Sequence, residues 1–150
     1  MKAKYVHTNL IAEDWRKLAD FYTRVFGCIV VPPERDFAGE TLDAGTGLVH
    51  AHLRGVHLRL PGWGEDAPTI EIFSYDREEP RTRFAVNQPG FGHIAFAVDD
   101  VCAAREEVIA QGGSPAGDVV TLTTALGTRV TWCYVKDPEG NVIELQAWAS

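Results

Sequence analysis

Apolar positions along this chain change their period in a fixed order, and that order occurs twice. Tyr5 to Leu10 reads as a short strand. From Trp15 onward, Trp15, Leu18, Ala19, Tyr22, Val25 and Phe26 recur at three- and four-residue spacing, the stripe of a helix whose Arg16, Lys17, Asp20 and Arg24 face water. Glu13 and Asp14 open this helix at its positive dipole end, and Gly27 closes it. Cys28 to Val31 reads as a buried strand run. Pro32-Pro33 ends its regular pairing by removing two backbone donors, and the polar, glycine-containing segment 34–47 reads as a surface loop. Leu48 to Leu60 is expected as a long strand or a hairpin folded at Gly55, Pro61 to Gly64 as a turn, and Thr69 to Ser74 as a strand.

After a charged connection from Asp76 to Gly90 the order returns. The second pass predicts a strand Gly92 to Val98, a helix Asp100 to Gln111 stopped by Gly112-Gly113, and strands Val119 to Thr124, Arg129 to Val135 and Val142 to Trp148. Turns at Ala125 to Gly127 and Asp137 to Asn141 separate the last three. Laying His7 on His93 without a gap puts Ala12 on Val98, Glu13-Asp14 on Asp99-Asp100, and Gly27 on Gly113. The expected class is α+β: one domain over residues 1–150, built from two βαβββ modules, 1–76 and 90–150, in a pseudo-twofold repeat joined by the charged linker. The unit is too long, and occurs too few times, for a solenoid.

Composition changes this picture little. With 150 residues, 45% hydrophobic and 23% charged, the chain has an ordinary globular balance and enough length for a sizeable core. The net charge of −7 disfavours nucleic acid and anionic membrane as partners, since either would repel an acidic surface that shows no basic patch. No run of about 18 apolar residues is present to span a bilayer, so the expectation is a soluble cytoplasmic protein. Three cysteines, Cys28, Cys102 and Cys133, without CxxC spacing, are expected to be reduced, buried thiols.

The candidate chemistry lies in the repeat. Each module offers a histidine on its first strand and a glutamate between apolar neighbours on its last: His7 with Glu71, and His93 with Glu144. A pseudo-twofold axis would turn all four towards one place. Two imidazoles and two carboxylates suit Zn, Ni, Co, Mn or Fe(II), with positions left for water or substrate. A rival set is His50, His52 and His57, the first two expected on one strand face. Neither Ser74 nor Ser114 has a GxSxG setting, no cysteine stands beside a base in sequence, and GxGxxG and GxxxxGK[ST] are both absent.

These residues give the chain a resemblance to the vicinal oxygen chelate superfamily, which includes glyoxalase I, methylmalonyl-CoA epimerase, extradiol dioxygenases and the fosfomycin and bleomycin resistance proteins. The resemblance is carried by His7 with the helix from Asp14 to Gly27, by Glu71, by Gly92-His93-Ile94-Ala95-Phe96-Ala97-Val98-Asp99-Asp100, and by Asp137-Pro138-Glu139-Gly140-Asn141-Val142-Ile143-Glu144-Leu145. It implies an open half-barrel cup and one divalent metal ion per site, held by His7, Glu71, His93 and Glu144. It also implies a small-molecule substrate and a homodimer. The set His, Glu, His, Glu is similar to that of glyoxalase I and implies lyase or isomerase chemistry, with Glu144 moving a proton next to a carbonyl and Glu71 as second candidate base. Glutathione-binding members carry an Arg and an Asn where this chain has Ile11 and Tyr75, so the implied substrate is a different one. The alternative is an Fe(II) dioxygenase or thiol transferase using His7, His93 and Glu144. A third reading, from another class, is a metal-free drug-binding resistance protein. Trp63, Phe84, the loop Thr121 to Gly127 and Trp132 are the expected substrate walls, and Arg77, Arg81 and Arg83 are expected as a solvated charged linker.

Overall fold

The computed structural model describes residues 1–80 and 85–149. The chain divides into two compact units, Met1–Pro80 and Arg81–Ser150. In the first, β1 (His7–Ile11) leads to helix α1 (Trp15–Phe26), whose start is fixed by the Asp14 carboxylate accepting from Lys17 N. Gly27 ends it in the left-handed conformation, φ 67°, which lets its N–H return to the last turn. The helix buries Trp15, Leu18, Ala19, Phe21 and Tyr22. Phe21, outside the expected stripe, joins them through edge contacts with Tyr22 and Phe26.

Strands β2 (Ile29–Ala38), β3 (His52–Arg59) and β4 (Thr69–Tyr75) complete the first sheet, in the order β1-β4-β3-β2 with β1 parallel to β4. Period-2 alternation sorts its faces. Leu58, Ile70 and Ile72 are buried on the side of α1, while His57, Glu71 and Phe73 are only partly covered.

Several expectations for this unit are corrected. Pro32-Pro33, a cis pair, interrupts pairing without ending the strand: three residues of β2 run opposite one of β3 between Val31–His57 and Arg35–Gly55, and the ladder then resumes. Because β2 is the sheet edge, Ile29 and Val30 are exposed rather than buried. Segment 34–47 is the rest of β2 followed by helix α2 (Glu40–Thr46), closed by Gly47 in the left-handed region. The Asp43 carboxylate then holds the backbone N–H groups of His50 and Ala51. His50 therefore sits at φ 57° outside any strand and shares no strand face with His52. Gly55 is no hairpin corner, since β3 runs straight through it.

The second unit repeats the plan with β5 (Ile94–Ala97), α3 (Val101–Ala110), a short β6 (Ser114–Pro115), β7 (Val120–Thr123), β8 (Arg129–Lys136) and β9 (Val142–Trp148). Its sheet runs β5-β9-β8-β6, with β7 also on β8. The Asp100 carboxylate caps α3 through Cys102 N and Ala103 N. Val108, Cys133, Val135, Ile143 and Leu145, each fully buried, form the core under α3. The gap-free register slips at the helix end: the positive-φ residue is Gly112, at 94°, not Gly113. Gly113 is instead required by close approach, because a Cβ there would lie 2.5 Å from Lys136 O.

The α+β class with two units on the βαβββ plan is what forms, the first with α2 inserted and the second with β6 and β7, both paired to β8, in the place of one strand, and neither sheet closes on itself among the described residues. All three cysteines are free. Cys28 and Cys133 are buried and burial pushes the Cys28 thiol up to about 12, whereas Cys102, expected to be buried, is exposed. No helix among the described residues is long and apolar enough to cross a membrane.

Candidate functional site

Glu71 sits in β4 between Ile70 and Ile72, which point into the core, so alternation turns its carboxylate to the opposite face. There Oε1 lies 3.4 Å from His7 Nδ1 and 3.1 Å from His57 Nε2. The first contact follows from the parallel β1–β4 register, in which Asn9, two residues past His7, pairs with Glu71. The second follows from the antiparallel β3–β4 register, which sets His57 directly opposite Glu71. Burial lowers the His57 pKa against the opposing pull of the Glu71 charge. Phe73, next on this face, has its ring centroid 5.8 Å from that of His57 and lies over Gly55.

The second unit builds the same arrangement. Ile143 and Leu145 point into the core and Glu144 away from it, with its Oε2 at 3.3 Å from His93 Nε2. His93 just precedes β5, and Ala95, again two residues on, pairs with Glu144. Opposite Glu144 on β8 stands Tyr134, whose ring centroid is 5.1 Å from that of His93. Burial and then the Glu144 charge raise the Tyr134 pKa, so the phenol stays protonated. His57 and Tyr134 thus hold equivalent places, each facing the glutamate of its own sheet.

Alternation along β8 and β9 brings Val130, Trp132, Tyr134, Glu144, Gln146 and Trp148 to this face, where they line a pocket of about 180 Å³. Trp148 Nε1 donates to Gln146 Oε1 at 2.9 Å, and the Trp132 and Tyr134 rings meet edge to face at 5.0 Å.

The structure therefore joins the four expected residues as two pairs, His7 with Glu71 and His93 with Glu144. Among the described residues no group of three or more His, Cys, Asp or Glu side chains is gathered to hold a metal. The rival histidine set is dispersed. His50 follows α2, His52 lies between Asp36 and Asp76, and His57 belongs to Glu71. Of the expected walls Trp132 lines the pocket, Trp63 is largely exposed in the other unit, and Phe84 falls outside the described residues, as do Arg81 and Arg83 of the expected charged linker. Asp76, assigned by sequence to the linker, is instead held by His52 and Arg54.

Sequence reasoning missed His57 as a partner of Glu71, and with it Tyr134, Gln146 and Trp148. For the last three a signal existed. The tight turn Asp137 to Asn141 sets β8 against β9 so that Tyr134 must face Glu144, and period 2 then carries Gln146 and Trp148 to the same side. For His57 none did, because the longer connection between β3 and β4 leaves the register unreadable.

Relatives place this geometry in a family. The chain is 29% identical over 145 residues to a probable lactoylglutathione lyase of Vibrio parahaemolyticus, covering 95% of this chain and 88% of that one. It is 26% identical over 149 residues to the lactoylglutathione lyase of Escherichia coli O157:H7, covering 95% and 90%. Its fold is similar to a glyoxalase family protein from Bacillus cereus, with TM-score 0.82, 18% identity and coverage of 100% and 97%. It is also similar to a genomically encoded fosfomycin resistance protein from Listeria monocytogenes, with TM-score 0.62, 18% identity and coverage of 99% and 96%. The model of one family matches residues 4–145, almost the whole of both units, and the chain belongs to that family, the Glyoxalase/Bleomycin resistance protein/Dioxygenase superfamily.

Proposed function

We propose that the protein is a divalent-metal-dependent lyase or isomerase of the glyoxalase I kind, acting on a small carbonyl substrate other than a glutathione adduct. The observation that carries this reading is the recurrence of one strand register: in each unit a histidine stands two residues before the partner of a glutamate, with contacts of 3.4 and 3.3 Å. Donors on one ion with bonds of about 2.1 Å are separated by about 3.0 to 3.4 Å, so each pair has the spacing of adjacent ligands. His7, Glu71, His93 and Glu144 would hold the metal. When bound, a divalent metal supplies Lewis-acid stabilisation of negative charge on a carbonyl oxygen. The names of the relatives, lactoylglutathione lyases, support the same reaction class.

The chain's own residues do the rest. Glu144 takes the proton from the carbon beside the carbonyl, and the C–H electron pair moves into the carbon–carbon bond as charge gathers on oxygen. Returning that proton to the former carbonyl carbon, while the substrate's hydroxyl proton passes to the former carbonyl oxygen, completes the isomerisation of a 2-hydroxy carbonyl compound or a hydrated 2-oxoaldehyde without any net change in atoms or electrons. Glu71, mirrored in the other unit, is the second candidate base. Tyr134, kept protonated beside Glu144, adds no competing negative charge. Ile11 and Tyr75 supply neither the guanidinium nor the amide that grips glutathione in the resembling enzymes.

Elemental analysis of the purified protein and of His93→Ala tests the metal. About one Ni, Zn, Co or Mn ion per chain, lost in the variant, is the expected result. Iron would favour the dioxygenase with His7, His93 and Glu144, and no metal after reconstitution would leave a binding protein. Glu144→Gln is expected to abolish turnover of 2-oxoaldehyde and 2-hydroxyketone substrates while the circular dichroism spectrum is unchanged. Full activity in that variant removes Glu144 as the base.

A further inference from the structure

We infer that the pocket on the second sheet is a subsite for a flat, uncharged aromatic group, and that Gln146 anchors the acceptor oxygen attached to it. The inference rests on the proposed carbonyl chemistry for its placement beside Glu144, and on the pocket alone for the class of ligand.

The lining is two indoles, a phenol, a valine, one amide and one carboxylate, with no Lys, Arg or His among them. Glu144 is the one charged side chain of this lining and belongs to the proposed metal set, so the part of the pocket away from it, Val130, Trp132, Gln146 and Trp148, holds no cation to pair with an anionic group. An aromatic ring instead meets ring faces and edges, which favour offset or edge contacts. The space, about 180 Å³ and open to solvent along exposed Trp148, lets a ring lie against the indoles from the surface.

The polar end is equally specific. Indole N–H can only donate, so the end of the Gln146 amide facing Trp148 Nε1 at 2.9 Å must be its oxygen. That fixes the orientation of the amide. Its NH₂ makes no hydrogen bond among the described residues and is presented as a donor. Trp132 lies directly opposite Gln146 on β8, and Glu144 is the next residue of β9 on the same face. A ring on the indoles with its carbonyl oxygen at Gln146 thus carries its reactive carbon towards Glu144. The substrate class is a neutral aryl 2-oxo or 2-hydroxy carbonyl compound.

Two probes with the same head group isolate the ring: 2-hydroxyacetophenone and hydroxyacetone, titrated into the purified holoprotein by calorimetry. The aromatic probe is expected to bind tighter by at least about tenfold. Trp132→Ala and Trp148→Ala should remove most of that ratio, Trp132→Phe and Trp148→Phe should keep much of it, and Gln146→Ala should weaken both probes alike. Equal binding of the two neutral probes, no binding of either at millimolar concentration, or an unchanged ratio in folded Trp→Ala variants would overturn the subsite. Binding with the expected ratio but no turnover of any carbonyl compound would sink the isomerase reading and leave the subsite standing.

Discussion

At Gly55 an added Cβ would lie 2.0 Å from Ile72 O and 2.4 Å from Phe73 Cδ1, so this one residue lets the Phe73 ring lie over the strand with its centroid 5.8 Å from that of His57. Gly55→Ala is expected to cost about 3 kcal/mol, because backbone, not a flexible side chain, would have to move. A lowered urea midpoint at unchanged slope checks it. His52 offers a different test. Its two ring nitrogens lie 2.7 Å from Asp36 and 2.8 Å from Asp76, and these hydrogen bonds, Asp36's first, raise its pKa above the ordinary 6.5. Asp76 in turn is lowered below 3.8, chiefly by His52 and then by Arg54. The raised histidine contributes stability below about pH 6.5 and loses it as pH rises through the folded value, while the lowered Asp76 loses its share only as pH falls through its own. The cluster therefore contributes most between pH 3.8 and 6.5. Urea midpoints of wild type and His52→Gln should differ more at mildly acidic than at alkaline pH, and a constant difference would show that the ion cluster does not couple to folding. At this scale the four His and Glu positions were legible, since an acid between core residues is rare enough to notice. His57 was not, because its partner is chosen by a strand register.

Turns decide which side chains become neighbours at the scale of elements. Asp137, only 2% exposed, accepts from Glu139 N, Asn141 N and Asn141 Nδ2, and this turn holds Tyr134 opposite Glu144. Asp137→Ala should cost about 2 kcal/mol, since buried backbone donors would lose a charged acceptor. Faster amide exchange in β8 and β9 than in β2 and β3 is the signature to seek, and uniform exchange would mean the turn does not set this pairing. Helices α1 and α3 were easy to read because local cues mark them: Asp14 and Asp100 cap, and Gly27 stops the first; α2, without a side-chain cap, was not. Strand β2 was not. Its prolines spell an ending, yet the edge position tolerates missing donors and the ladder resumes beyond them.

For the whole molecule the question is whether both units serve one metal. A ligand that binds only the folded chain stabilises it by about 2.7 kcal/mol at about 100 times Kd, or a Tm rise of about 8 °C at this chain length. Glu71→Gln and Glu144→Gln should each lose most of that rise. If one variant keeps it in full, the pair in that unit is not a ligand pair.

The sequence by itself determined the two-copy plan, helices α1 and α3 with their aspartate caps, the α+β class and the matching His and Glu positions of the two copies, because each is written in local periodicity or in the matching of one copy with the other. Only the tertiary structure decided that His57 and Tyr134 face those glutamates, that Gly55 is a strand residue, that His52 is tied to two aspartates and that Gln146 and Trp148 line a pocket. Those facts depend on strand register across residues distant in the chain, and register is set by the sum of core packing and turn closure rather than by any single segment.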